Sequence, residues 1–181
     1  MQSGQIQNQA EPQSGSGDRD RRKGRKKPSK LRQFSEGLQK AADLARHPLG
    51  RFLVDPLMRF YARKTMRIQG VQPPGPDADI ETIALEYQRM FPTKRMYEIV
   101  DIKDDTAYFD IHVQCPLRGT GDAMACHRLM QYDRSMADRL GVNFRVLESQ
   151  SVSGADTCRV AIRRHGLPVS DLPEPHEGGK A

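Results

Sequence analysis

"RMYEIVDIKDDTAYFDIHVQC", residues 95–115, is the stretch of sequence that decides the fold. Two runs rich in β-forming residues flank an Asp-Asp pair, which predicts a β-hairpin that turns between Lys103 and Thr106. The apolar residues of the second run alternate with polar ones and therefore share one strand face. They are Phe109, Ile111, Val113 and Cys115. A cysteine thus ends the apolar face of this strand.

A second hairpin and two helices complete the predicted domain. "VNFRVLESQS" (142–151) and "TCRVAIRR" (157–164) flank a glycine-bearing turn, and helical patterns cover residues 80–91 and 122–140. The order helix, two strands, helix, two strands predicts an α+β fold. We expect an antiparallel four-stranded sheet of two β-hairpins, with helices packed on one face.

The N-terminal segment is strongly basic. Residues 17–33 contain nine Lys and Arg residues against Asp18 and Asp20, which accounts for the formal charge of +6 of the whole chain. A segment with so few apolar residues cannot offset the entropy cost of folding. We therefore predict a disordered basic tail over residues 1–33, with an acidic macromolecule as its candidate partner.

Four segments follow from this composition. After the tail comes an amphipathic basic helical segment with its linker (34–75), with Pro48 and Pro56 expected to break its helix. Residues 34–69 are suited to padding the core, lying on a membrane surface, or pairing with a second copy or another subunit. The α+β domain follows (76–166), and the Pro/Gly-rich residues 167–181 are predicted to be a disordered C-terminal tail.

Cysteine content and hydropathy indicate the compartment. The chain has three cysteines and no apolar signal sequence, which is typical of a reduced, cytoplasmic protein. No run of residues approaches the roughly 18 consecutive apolar residues of a membrane-spanning helix, and the mean hydropathy is strongly negative. We expect no transmembrane segment.

A helical projection of residues 122–140 selects the candidate site residues. Cys126 and Asp133 fall within the apolar arc, whereas His127 falls on the opposite face, towards water. His127 is therefore a poor ligand candidate. Burying an unpaired carboxylate costs several kcal/mol, so an inward Asp133 needs a metal, a ligand, an arginine or a catalytic proton.

The second hairpin repeats this pattern of inward reactive groups. Strand alternation places Glu148 with Phe144 and Val146, and Cys158 with Val160, on faces that point to the core. Two alternatives need no site. Arginines could pair with the two acids, or the strand phase could be shifted by one residue, which would turn Glu148 outward.

Residues 80–165 resemble the L-2-amino-thiazoline-4-carboxylic acid hydrolase-like proteins. That family is characterised by a strand ending in Cys, a helix with Cys-x-x-Asp, and a last hairpin with Gly-x-x-x-Cys-x-aromatic. Cys115, Asp133 and "GADTC" (154–158) match these features, while Met130 and Val160 depart from the expected cysteine and aromatic residue. The resemblance implies a hydrolase that opens a small ring containing C–N and C=N bonds.

A more distant similarity is to the four-vinyl-reductase-type small-molecule-binding domain. Its zinc site has a helical Cys, then a Glu, then cysteines in the following hairpin. Cys126, Glu148 and Cys158 occur in that order, with Ser151 where a further cysteine is expected. This similarity implies a divalent metal such as zinc at these three residues.

Two mechanisms therefore remain open for a candidate hydrolase. In one, the Cys115 thiolate attacks the amidine-like carbon while Asp133 or Glu148 moves the proton. In the other, Cys126, Glu148 and Cys158 hold a zinc-like ion that activates water. The alternative is a module that binds a small molecule or a metal without catalysis.

Overall fold

The computed structural model describes residues 29–75, 77–152 and 155–177, and the predicted α+β fold is confirmed. The helices are α1 (Lys30–Arg46), α2 (Arg51–Gln69), α3 (Ile80–Arg89), α4 (Ala123–Leu129) and α5 (Gln131–Arg139). The strands are β1 (Tyr97–Lys103), β2 (Thr106–Ile111), β3 (Val142–Glu148) and β4 (Cys158–Arg164). A short 3-10 turn, Lys94–Met96, leads into β1.

The two hairpins lie side by side in one antiparallel sheet of order β1-β2-β4-β3. The first hairpin turns where the sequence predicts, at Asp104 and Asp105, whose φ angles are 49° and 58°. Short polar side chains tolerate this left-handed conformation, which two-residue hairpin turns require. Strands β2 and β4 are central, and β1 and β3 are the sheet edges.

Helices α3 and α5 cover one face of the sheet. Asp79 caps α3 by accepting a hydrogen bond of 2.7 Å from the Thr82 amide. The same helix buries Tyr87, whose ring centroid lies 5.6 Å from that of Phe109 on β2 and 6.2 Å from that of Phe144 on β3. This aromatic cluster joins both hairpins to α3.

Helices α1 and α2 form a second helical layer over α4 and α5. The predicted break at Pro48 is confirmed, since α1 ends at Arg46 and α2 begins at Arg51. The predicted break at Pro56 is wrong, because Pro56 lies inside α2. Proline has no backbone N–H, so the carbonyl of Phe52, four residues earlier, lacks its usual helical donor. Phe52 is exposed in the first turn of α2, where a water molecule can donate to this carbonyl instead.

The helix predicted over residues 122–140 is two helices, α4 and α5, which meet at Met130. The Arg134 guanidinium donates a hydrogen bond of 2.8 Å to the carbonyl of His127. A continuous helix would satisfy that carbonyl with the backbone amide four residues later. The arginine side chain therefore supports the end of α4.

The boundaries of both predicted tails need correction. Helix α1 begins at Lys30, with the Ser29 side chain as its cap, so the last residues of the predicted 1–33 tail are helical. Residues 167–177, predicted to be disordered, pack against the sheet. Residues 1–28 and 178–181 lie outside the described residues.

Residues 167–177 form a C-terminal strap around the β3 edge. Arg163 on β4 donates a hydrogen bond of 2.7 Å to the Pro168 carbonyl, and Arg145 on β3 donates one of 2.9 Å to the Leu172 carbonyl. The Val146 amide, on the open edge of the sheet, donates to a carboxylate oxygen of Glu174 at 2.8 Å. The strap thus satisfies a backbone amide and an arginine of the edge strand β3 and an arginine of the neighbouring strand β4. The composition could not indicate these polar contacts.

No helix in the described parts of the chain is both long and apolar enough to cross a membrane.

Candidate functional site

A cavity of about 860 Å³ lies between the α1 and α2 layer and the helix-covered side of the sheet. Its wall is mostly apolar, with a few polar or reactive groups. The apolar part includes Phe34, Leu38, Leu57, Met58, Ile111, Val113 and Leu129; the buried or half-buried polar or reactive part includes Tyr97, Cys115, Tyr132, Asp133, Gln150 and Cys158. Two exposed charged residues of α1, Glu36 and Lys40, also line the cavity. An apolar wall with few polar groups, and a volume of roughly 300–1,000 Å³, is typical of a small-molecule site.

Asp133 supplies the buried charge of this cavity. Helix α5 directs it inward, as predicted, and only 5% of the residue is exposed. Its Oδ1 accepts hydrogen bonds of 2.6 Å from the Tyr97 hydroxyl and 3.1 Å from the Tyr87 hydroxyl. Burial raises the pKa of Asp133 to about 6, although both tyrosine hydrogen bonds act to lower it. Asp133 can therefore exchange a proton near neutral pH.

The two tyrosines remain hydrogen-bond donors. Burial and the neighbouring Asp133 carboxylate raise the pKa of Tyr87 and of Tyr97 well above the ordinary value of 10.0. Both hydroxyls therefore keep their protons at any pH at which the protein is studied. Their role is to hold the Asp133 carboxyl group in one orientation.

All three cysteines are buried free thiols, but they do not share one wall. Cys115 and Cys158 line the cavity, whereas Cys126 lies outside it and accepts a hydrogen bond of 3.1 Å from the Ser149 hydroxyl. Burial raises the pKa of Cys115, and it raises the pKa of Cys158 to about 12. Both cavity thiols are therefore protonated at rest, and a nucleophilic thiolate would need a base beside it.

Gln150 holds the loop that carries Cys115. It is 1% exposed, and its Oε1 accepts a hydrogen bond of 3.1 Å from the Cys115 amide. Its Nε2 donates one of 2.8 Å to the Val113 carbonyl. Sequence reasoning missed this residue, because a glutamine beyond a strand end is usually exposed.

The predicted metal site at Cys126, Glu148 and Cys158 is not brought together. A register shift between Val146 and Glu148 in β3 interrupts the alternation, so Glu148 is exposed and lies opposite Arg159. The predicted inward orientation of Glu148 is wrong for this reason. Of the two acids predicted to point inward, only Asp133 is buried, and it lies on the cavity wall.

A different group could hold a metal ion. His127 on α4 lies with Glu174 and His176 of the C-terminal strap, and one ligand atom from each residue lies within 4.8 Å of the others. The prediction that His127 faces water is wrong, since its side chain is 27% exposed and contacts the strap. Sequence reasoning missed Glu174 and His176 because both belong to the segment predicted to be unfolded.

No protein-family model, curated protein or solved structure matches this chain.

Proposed function

We propose that this protein binds a small molecule with a basic nitrogen group, such as a cyclic amidine, in the cavity and hydrolyses its C=N bond. One observation carries the proposal: a buried carboxyl group, Asp133, lies on the wall of an otherwise largely apolar cavity. A ring fits the volume, and a cationic nitrogen group complements the charge.

The charge of Asp133 supports recognition of a cation. With a pKa of about 6, the carboxyl group is mostly ionised at neutral pH. A buried carboxylate is stabilised by a partner that brings both opposite charge and hydrogen-bond donors. An amidinium group provides both, and its planar pair of N–H groups matches a carboxylate.

Cys115 and Asp133 support a hydrolytic step in which both residues act. The Cys115 sulfur forms a bond to the amidine carbon while its proton passes to the Asp133 carboxylate. The ring nitrogen of the amidinium group already carries one proton, and it takes the thiol proton back from Asp133 as its bond to the carbon breaks, so that it leaves as an amine. One water molecule then adds to the same carbon, and its oxygen stays on the product as the carbonyl oxygen. The carbon–sulfur bond to Cys115 breaks, one water proton restores the thiol and the other ends on the released amine. A carboxyl group with a pKa near neutrality is suited to accept and return the proton.

A second candidate function is binding without turnover. It is favoured by the buried state of the thiols, because the raised pKa of Cys115 disfavours the thiolate. The same cavity and the same Asp133 contact serve this function, and only the covalent step differs.

The two candidates separate in one experiment with 2-amino-thiazoline-4-carboxylate as the probe. Calorimetry measures binding, and mass spectrometry detects a product heavier than the probe by one water. The hydrolase proposal requires Asp133→Asn to lose both signals and Cys115→Ser to keep binding but lose the product. Glu148→Gln, which changes an exposed acid outside the cavity, is the matched control and should behave as the parent.

Binding without any product would support the second candidate. Absence of binding to the parent protein, or equal binding by Asp133→Asn, would contradict both candidates.

A further inference from the structure

The C-terminal strap and α4 meet at a compact group of nitrogen and oxygen donors outside the cavity. The Nδ1 atoms of His127 and His176 lie 3.5 Å and 3.2 Å from Oε2 of Glu174. The two imidazole ring centroids are 4.0 Å apart. Two histidines and a carboxylate in this arrangement form a ligand set that zinc-type ions accept.

An unsatisfied nitrogen is independent evidence for a ligand at this position. The Nδ1 of His127 is buried, and its 3.5 Å contact with Oε2 of Glu174 does not have the geometry of a hydrogen bond, so that among the described residues it forms none. Buried polar atoms usually have a hydrogen-bond partner, so such an atom needs an explanation, and a bound ion or water is one of the usual ones. A metal ion bound by this nitrogen would satisfy it.

The space beside these rings also fits a single ion. A cavity of about 10 Å³ is lined by the proposed ligands His127 and His176 and by Cys126 and Arg134, among other residues, whereas Glu174 does not line it. This volume is close to the minimum that one water molecule requires, so it accommodates an ion or a water and no organic ligand. The sulfur of Cys126 is not part of this ligand group, since it accepts a hydrogen bond from the Ser149 hydroxyl.

The surroundings of Glu174 fix its carboxylate. Arg134 donates hydrogen bonds of 2.7 and 2.8 Å to its two oxygens, and the Val146 amide donates a third of 2.8 Å. Hydrogen bonds of this kind orient metal ligands. The Arg134 charge also opposes a cation, so the two imidazoles supply most of the affinity and we expect micromolar rather than nanomolar binding.

We propose that His127, Glu174 and His176 bind one divalent transition-metal ion of the zinc type, and that this ion fastens the C-terminal strap to α4. His127 belongs to α4, and the other two ligands belong to the strap. Occupancy therefore adds a further link between α4 and the strap that lies over the edge of β3. The role is structural and is separate from the chemistry of the large cavity.

The test uses the full-length protein without a histidine tag, stripped of metal with a chelator. Calorimetric titration with Zn²⁺ should give one site, and saturating Zn²⁺ should raise the melting temperature. His127→Gln and His176→Gln should each weaken binding by about 100-fold or more, since even groups that only orient ligands contribute roughly 10–100-fold. His112→Gln, which changes an exposed histidine paired with Glu98, is the matched control and should bind like the parent.

Titration of the parent with Co²⁺ covers the case in which the variants do not fold. Intense visible absorption bands without a sulfur-to-cobalt band would support a four-coordinate ion held by the nitrogen and oxygen ligands proposed here. The proposal is overturned if Zn²⁺ neither binds the parent nor raises its melting temperature. It is equally overturned if both histidine variants fold and bind like the parent, since the group would then be an ion-pair network only.

Discussion

The Tyr97 hydroxyl donates a hydrogen bond of 2.6 Å to Oδ1 of Asp133, and this contact joins the first residue of β1 to α5. The Tyr97 ring stacks on Phe91, with centroids 3.5 Å apart and ring planes 12° apart. Packing at the end of α3 therefore fixes the hydroxyl that orients the cavity carboxylate. The orientation of the Asp133 carboxylate therefore depends on the packing of Tyr97 against Phe91 as well as on helix α5.

Tyr97→Phe should raise the pKa of Asp133 further above 6, because the Tyr97 hydrogen bond favours the charged carboxylate. The loss should also cost about 1.5–3 kcal/mol of stability at neutral pH, as expected for a hydrogen bond to a charged group. The carboxyl pKa is measured from the pH dependence of the Asp133 carboxyl carbon shift. Tyr132→Phe, which removes a 3.2 Å hydrogen bond to Thr65, is the control for loss of a buried hydroxyl that is not bonded to Asp133. Equal Asp133 pKa values in the parent and Tyr97→Phe would contradict the assigned role.

Asp133→Asn should change the pH dependence of stability in a defined direction. The folded pKa of about 6 lies above the ordinary 3.8, so unfolding releases a proton and the parent loses stability as pH rises through this window. The loss amounts to roughly 3 kcal/mol and is complete above about pH 7. Asparagine keeps an oxygen for both tyrosines but does not titrate. The free energy of unfolding in urea, measured for both proteins at pH 4 and pH 7, should therefore rise for the variant relative to the parent as pH rises. If the difference in unfolding free energy is the same at both pH values, the charge of buried Asp133 does not destabilise the parent.

Gln150→Ala should loosen the Cys115 loop. The substitution removes the acceptor of the Cys115 amide and leaves a cavity, so a cost of about 2–4 kcal/mol is expected. Cys115 should then react faster with a thiol reagent, as measured by mass spectrometry of peptides. Gln88→Ala is the matched control, since Gln88 is also buried and donates 2.6 Å to the Tyr97 carbonyl, but it does not contact the Cys115 loop. Equal Cys115 labelling rates in the two variants would refute a specific role for Gln150.

Local patterns predicted the elements that carry apolar side chains. The turn of the first hairpin follows from its Asp-Asp pair, since short polar residues tolerate the left-handed conformation. The inward Asp133 follows from helical periodicity, because backbone geometry fixes side-chain direction. The prediction for Glu148 was wrong because a register shift in β3 breaks strict alternation, and a single sequence carries no clear signal of such a shift. The orientation of Glu148 depends on pairing with β4, which is a tertiary property.

The C-terminal strap could not be predicted for a different reason. Its order comes from arginines distant in the sequence, such as Arg145 and Arg163, which bind its carbonyls and carboxylates. Composition indicates how much apolar area a segment can bury. It does not indicate which charged residues elsewhere in the fold will bind the segment. His127 was judged by helix projection alone, without the strap that covers it.

Glu174→Gln should destabilise the protein strongly and with a pH dependence opposite to that of Asp133. The Glu174 side chain is 1% exposed and pairs with Arg134, and breaking a buried ion pair on one side costs about 3–5 kcal/mol. The contacts with His127, Arg134 and the Val146 amide outweigh burial and lower the pKa of Glu174 from 4.5 to about 2. Because the folded pKa is depressed, the stabilisation is present above about pH 4.5 and is lost as pH falls towards 2. Urea unfolding at pH 7 and pH 3 should therefore show a large difference between parent and variant at pH 7 that shrinks at pH 3.

Asp110→Asn, which breaks the more exposed pair with Arg159, is the control and should cost no more than about 1 kcal/mol. A cost for Glu174→Gln as small as that of the control would mean that the strap does not stabilise the domain.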